Sequence, residues 1–249
     1  MNWYKAATTR AESITPERFG AMTWEEKQAL AENHRISPLT QRLFFEESYE
    51  KKWKVLWALA WNPSIAPETQ LMFFTEPYES KDWILANLAR NSGITQETQR
   101  LFLTQEYPEK ENTLGTLVRN ESLTPEVQRL FFTALYKMNY FVSTRLAMNR
   151  SLIPELQLLF FTKNKDRGFK GSVLWFLAGN PSITPEVQAL FTTEEYEEKD
   201  EALLRLVENP GFLRGNFTKE QRLQIKNAAR GVMRLYILSK RLEQIAGVP

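Results

Sequence analysis

Apolar residues recur along this chain in a fixed phase. Take Asn33, Asn62, Asn91, Asn120, Asn149, Asn180 and Asn209 as origins; they are spaced by 29, 29, 29, 29, 31 and 29 residues. Three positions before each stands Leu: Leu30, Leu59, Leu88, Leu117, Leu146, Leu177 and Leu206. Eleven positions after the first six stands Phe: Phe44, Phe73, Phe102, Phe131, Phe160 and Phe191. Ile or Leu fills plus three, and Leu or Met fills plus ten. One polar column interrupts the apolar ones, Gln at plus eight (Gln41, Gln70, Gln99, Gln128, Gln157, Gln188). A self-similar period of this length is the signature of a stacked repeat whose unit is one supersecondary element.

Within a unit the spacing predicts two helices. The first opens at Thr124-Pro125-Glu126 or Thr184-Pro185-Glu186. Thr offers an N-cap acceptor, Pro is pre-set for the first helical position and Glu suits the positive helix end. Ser37-Pro38, Ala66-Pro67-Glu68 and Ile153-Pro154-Glu155 keep part of the pattern. Apolar positions at plus seven, ten and eleven share one face. The second helix, over 54–61 or 200–208, has apolar positions seven, six, three and two before Asn, as in Val173, Leu174, Leu177 and Ala178. Asn itself reads as a helix terminator in left-handed backbone. Pro63, Pro181 and Pro210 stop the helix there.

The ends depart from the repeat. Residues 1–32 hold a shortened unit, with Thr15-Pro16-Glu17 and a capping-box pattern at Thr23-Trp24-Glu25-Glu26. Residues 33–210 carry six units of 29–31 residues, and 211–249 read as closing helices. The predicted fold is all-α: a right-handed α-solenoid, or superhelix, of about seven two-helix repeats with caps at both ends. The Gln column reads as a ladder of amides bonded to neighbouring backbone. The Tyr column (Tyr49, Tyr78, Tyr107, Tyr136, Tyr196) reads as a pin for the inter-helix loop. Acids in those loops, such as Glu46, Glu47, Glu194 and Glu195, read as partners of the helix dipole.

Composition narrows the chemistry. The chain has no Cys and one His, which excludes thiolate sites, disulfides and any site needing two imidazoles. His34 reads as a solvated loop residue. The net charge of +2 hides a segregation: residues 211–249 sum to +6 and residues 1–210 to −4. There is no phosphate-cradling glycine loop, nucleophile elbow or paired metal-ligating His. We therefore expect no catalytic, cofactor or metal site. No apolar stretch is long enough to span a bilayer and the N-terminus lacks a signal core. The expectation is a cytoplasmic protein without a membrane or small-molecule partner.

The run Leu177-Ala178-Gly179-Asn180-Pro181-Ser182-Ile183-Thr184-Pro185-Glu186-Val187 resembles the variant leucine-rich repeat, a HEAT-like α-solenoid. Leu88-Ala89-Arg90-Asn91 to Ile94-Thr95 carries the same pattern. The resemblance covers roughly 11–210 and implies a scaffold with no catalytic residues. These units are longer than the family's usual ones, and Phe-Phe replaces Leu-Leu in the first helix. The family's founding member carries an iron–sulfur cysteine cluster. The absence of Cys here means that no such cofactor carries over.

Three departures from the repeat mark candidate surfaces, since local rules break most often at functional sites. Residues 133–171 sum to +5 and interleave Lys137, Lys163, Lys165, Arg167 and Lys170 with Tyr140, in the unit that holds the two-residue insertion. Lys219, Arg222, Lys226, Arg230 and Arg234 form a basic stripe at helical spacing. Trp53, Trp57 and Trp61, at i, i+4 and i+8, are offset from the expected core stripe of Val55, Leu56 and Leu59. Such a row suits a partner hot spot or packing on the adjacent helix or N-terminal cap. The expected function is a non-enzymatic scaffold binding another protein over an extended curved surface. The alternative is nucleic acid, or another polyanion, held by the 137–170 patch and the C-terminal stripe.

Overall fold

The computed structural model describes residues 14–134, 140–162, 170–196, 198–209 and, apart from 221, 224 and 228, residues 218–233. All regular structure among them is helical. The chain divides into two compact units between Val127 and Gln128. The first holds α1 (Pro16–Gly20), α2 (Trp24–Ala31), α3 (Pro38–Glu46), α4 (Lys52–Trp61), α5 (Pro67–Thr75), α6 (Lys81–Arg90), α7 (Gln96–Thr104) and α8 (Lys110–Leu117). Helix α9 (Pro125–Ala134) carries the boundary. The second unit continues with α10 (Tyr140–Ala147), α11 (Pro154–Thr162), α12 (Lys170–Ala178), α13 (Pro185–Thr193) and α14 (Lys199–Val207), followed by further helical residues within 219–233.

Helices pair in chain order and stack in two rows. In the first unit α3 packs on α4, α5 on α6 and α7 on α8, while α2, α4, α6 and α8 line up side by side, as do α3, α5 and α7. In the second unit α11 packs on α12 and α13 on α14, with α10, α12 and α14 in one row. The second helices stack more intimately than the first ones. Consecutive pairing of this kind is α-solenoid architecture.

Each helix starts as its sequence dictates. The side chains of Thr15, Ser37, Thr95 and Thr184 accept from the backbone N–H three residues on, with Pro at the first turn behind Thr15, Ser37 and Thr184. Thr23 and Glu26 form the reciprocal capping box. Ala66 makes no side-chain cap, and Pro67 and Glu68 alone open α5.

The Phe column is the spine of the core. Phe44, Phe73 and Phe102 in the first unit, and Phe131, Phe160 and Phe191 beyond it, are fully buried. Burying one such ring is worth roughly 2–3 kcal/mol. The neighbouring aromatic of the Phe-Phe pair reaches forward: Phe45 meets Phe73 edge-on at 4.9 Å and Phe74 meets Phe102 at 4.9 Å. In the second unit Phe161 meets Phe191 at 4.8 Å. The T-shaped geometry is the one the ring quadrupoles favour. One Phe thus fills its own unit while its neighbour ties that unit to the next.

Two amide ladders complete the stacking. Gln70 donates through Nε2 to Ile65 O (3.1 Å) in its own unit and to Gly93 O (3.0 Å) in the next, and its Oε1 accepts from Thr95 N (2.9 Å). Gln41, Gln99, Gln128 and Gln157 repeat the forward bonds. Gln188 closes the column, and its buried Oε1 has no partner among the described residues.

The Asn column corrects the sequence expectation. Asn62 (φ −70°, ψ 113°) and Asn91 (φ −66°, ψ 124°) are C-caps in extended, not left-handed, backbone. What the position requires is the amide. Asn62 Nδ2 donates to Ala31 O (2.8 Å) and Asn33 O (2.9 Å), and its Oδ1 accepts from Ser64 N (2.9 Å). Left-handed backbone occurs instead at Lys51, Ser80, Glu109 and Glu198, the residues that open α4, α6, α8 and α14.

Candidate functional site

The loops that join first to second helices fix how the second helices present their outer faces. Tyr49, Tyr78, Tyr107 and Tyr196 donate their hydroxyls to the carbonyls of Phe44, Phe73, Phe102 and Phe191. This is the pinning role expected of the column; Tyr136 lies outside the described residues. Burial pushes all four phenols above their usual range, with nearby Glu106 adding at Tyr107 and Asp200 and Glu195 adding at Tyr196.

A lysine column that sequence reading missed stands ten residues before Asn. Lys81 Nζ donates to Phe74 O (2.6 Å) and Glu76 O (3.2 Å), closing the carbonyl end of α5. Lys52 does the same at Phe45 O and Glu47 O (2.9 Å). Burial lowers the pKa of both lysines, partly opposed by nearby Glu76. The signal was present in the chain, since Lys52, Lys81, Lys110, Lys170 and Lys199 share one phase.

With their core faces committed, two second helices of the first unit, α4 and α6, expose tryptophan. Trp53, Trp57 and Trp61 are 38%, 42% and 44% exposed on the side of α4 opposite the buried Val55, Leu56 and Leu59. Trp57 and Trp61 meet edge-to-face at 6.5 Å. Trp83, on the adjacent α6, is 72% exposed. Sequence reading passed over it because it stands alone in its helix. Trp24 on α2 lies under Lys51 (4.5 Å) and Lys54 (5.1 Å), which stack on its ring.

Beside Trp83 the face opens into a groove of about 450 Å³ between α6 and α8. Asp82, Trp83, Ala86, Asn87 and Arg90 form one wall, and Glu109, Asn112, Thr113 and Thr116 the other. Sequence registration explains the hollow: α4 carries Trp57 five residues before its Asn, where α6 has Ala86. The Glu109 carboxylate is steadied by Asn112 Nδ2 at 2.7 Å.

Of the 137–170 patch, Tyr140 is exposed at the start of α10. It shares a shallow hollow with Ser172, Trp175 and Phe176 on α12 and with Glu198 and Glu201. Its described charged neighbours there are therefore acidic. Lys137, Lys163, Lys165 and Arg167 lie outside the described residues, as does the side chain of Lys170, which opens α12. In the C-terminal stripe Lys219, Lys226 and Arg230 are exposed and Arg222 is half-buried, while Ile225 and Ala229 are buried. Arg234 lies outside the described residues. His34 is an exposed turn residue.

Among the described residues, no group of three or more Asp, Glu and His is placed to hold a metal ion, and no helix is long and apolar enough to cross a membrane. No family model, curated protein or solved structure matches the chain.

Proposed function

We propose that this protein is a non-enzymatic, cytoplasmic scaffold. In this reading it is a right-handed helical repeat of the variant leucine-rich or HEAT-like kind, and it binds another protein through the outer face of its second helices. The observation that carries the reading is the row Trp53, Trp57, Trp61 and Trp83. Indole rings are large apolar bodies with a polar N–H, and they dominate the energetics of protein interfaces. Four of them exposed along two neighbouring helices, on a face whose core side is already filled, form an apolar patch that marks an interaction surface. The acidic balance of residues 1–210 suits a partner with a basic surface.

Selection of ligands from a displayed library of random peptides, using the full chain as bait, tests the reading. Selected ligands are expected to lose at least tenfold affinity for a Trp57→Ala/Trp61→Ala double variant that keeps its helical circular dichroism. Ligands that bind this variant and Trp83→Ala unchanged would remove the tryptophan face from the function.

A second reading has its own support. Lys219, Lys226 and Arg230 are exposed on a helical stretch that buries Ile225 and Ala229. Such a cationic side is suited to following a phosphate backbone.

A further inference from the structure

The groove between α6 and α8 holds a group that the scaffold does not use. Asn87 is only 4% exposed, it lines the groove, and its Nδ2 has no hydrogen-bond partner among the described residues. Four residues before its column Asn, α4 carries Ala58. The fold therefore accepts an apolar residue at this position, and the amide in α6 is not dictated by helix packing. A buried polar group without a partner is costly. Half a turn about its terminal torsion exchanges the carbonyl and NH₂ of the amide, so either can be offered to a ligand in the groove. A carboxamide presents one acceptor and a two-hydrogen donor, the complement of a peptide bond.

Charge and shape select what the rest of the ligand must be. The end of the groove nearer the helix starts carries two carboxylates, Asp82 on α6 and Glu109 on α8, beside the exposed ring of Trp83. An aromatic face flanked by carboxylates takes a cation. Arg90 stands at the other end and repels a second one. From Asp82 to Arg90 the helix rises about 12 Å, the length of roughly four extended residues.

We infer that this groove binds an extended peptide segment bearing a single basic side chain. The cation rests on Trp83 between Asp82 and Glu109, and the amide of Asn87 pairs with the peptide backbone. This inference rests on the proposal above that the second-helix face is a partner surface. It adds the partner's local chemistry.

The test titrates the full chain with blocked tetrapeptides, acetyl-Ala-Ala-Arg-Ala-amide and its norleucine counterpart, by calorimetry and by the side-chain amide resonances of Asn87. The arginine peptide is expected to bind at least tenfold more tightly than the norleucine peptide and to shift the Asn87 resonances. Trp83→Ala, Glu109→Gln and Asn87→Ala are each expected to weaken it at least tenfold. Asn87→Leu is expected to abolish binding without lowering the midpoint of thermal unfolding, because it removes an unpaired amide. That pairing of outcomes separates a ligand contact from a structural one.

Equal affinity for the two peptides, unchanged affinity in the Trp83 and Asn87 variants, or no shift of the Asn87 resonances at millimolar peptide overturns the inference. Arginine amide binding as tightly as the tetrapeptide also overturns it, by showing a cation site with no backbone recognition. If the groove fails while library ligands still depend on Trp57 and Trp61, the scaffold reading stands and only the groove assignment falls.

Discussion

The side-chain amide of Asn91 donates to the backbone carbonyl of Asn62, 29 positions earlier, at 2.8 Å. Its second hydrogen goes to Ala60 O (2.8 Å), and its oxygen accepts from Gly93 N (2.7 Å). One buried side chain thus satisfies two carbonyls at the end of the preceding second helix and one N–H at the start of its own loop. Asn120 repeats the arrangement on Ala89 and Asn91, and in the second unit Asn209 does so on Ala178 and Asn180.

Asn91→Ala strands Ala60 O and Gly93 N and leaves Asn62 O with only its bond from Ile65 N (3.2 Å). An unsatisfied buried polar group costs about 1–3 kcal/mol, and part of that returns if water enters. The substitution is expected to lower stability by roughly 2–4 kcal/mol. The control Arg119→Ala, at an exposed position, should stay within about 0.5 kcal/mol. Urea unfolding followed by circular dichroism measures both. A loss at Asn91 no larger than that of the control would show that the amide ladder does not hold the units together.

This column shows what was legible in the chain and what was not. The phase of Leu, Phe, Gln and Asn announces helix pairs because core positions must recur with the stacking period. The N-caps follow from Thr-Pro-Glu, whose chemistry is local. The same periodicity left the task of Asn open, since a terminator and a bridge both recur once per unit. Its bridging bonds span about 30 residues, and only the packed helices reveal them. The left-handed residues were hidden for a different reason. Lys51, Ser80, Glu109 and Glu198 have φ between 52° and 57°, and none belongs to the types that favour that region. The hollow beside Trp83 was equally invisible. It depends on Ala86 and Asn87 of α6 facing Asn112, Thr113 and Thr116 of α8, a juxtaposition that no single helix encodes.

The left-handed positions offer a stabilising change. Ser80, at φ 57° and ψ 36°, makes no side-chain cap bond at the start of α6. A residue with a Cβ spends about 1–2 kcal/mol in that region, and glycine does not. Part of the gain is offset because glycine also frees the unfolded chain. Ser80→Gly is expected to raise stability by roughly 0.5–1 kcal/mol, and Ser80→Val to lower it by more than that. Thermal unfolding of the two variants decides. A lower midpoint for the glycine variant would mean that the hydroxyl, not the backbone, governs the turn.

The buried tyrosines set the alkaline limit of the fold. The pKa values of Tyr49, Tyr78, Tyr107 and Tyr196 are raised by burial, so the folded protein keeps these protons where the unfolded chain releases them. Their stabilising contribution is complete below the unfolded value of about 10 and is lost as pH rises beyond it. Lys52 and Lys81 act in the opposite sense. Their pKa values are lowered by burial, and they favour folding as pH climbs towards their unfolded value. Above about 10.5 that gain is complete and grows no further, and the tyrosines dominate. The ultraviolet absorbance of tyrosinate is expected to rise in two stages, the second coinciding with loss of helical dichroism. Tyr78→Phe keeps the ring against Phe73 and loses the bond to Phe73 O. It should cost roughly 1 kcal/mol at neutral pH and diminish the second stage. A single smooth titration of all tyrosines with the helices intact would contradict the burial argument.

The polyanion reading makes a quantitative demand on salt. Lys219, Lys226 and Arg230 are the exposed cations of the described C-terminal stripe, and Arg222 is half-buried. A duplex lying along them is contacted through about three phosphates, and each neutralised phosphate contributes about −0.9 to the slope of log K against log salt. Labelled duplex DNA is therefore expected to bind at low ionic strength with a slope near −3. Contact this sparse is weak at physiological salt, since proteins that hold DNA specifically engage more phosphates and read base edges as well. Lys226→Glu/Arg230→Glu should abolish the binding, because it removes two contacts and adds two repulsive charges. Trp57→Ala should leave it unchanged, as should Trp83→Ala, since neither removes a cationic side chain. Anisotropy across a salt series distinguishes the outcomes. A flat salt dependence, or binding that survives the charge reversal, removes phosphate recognition by this stripe.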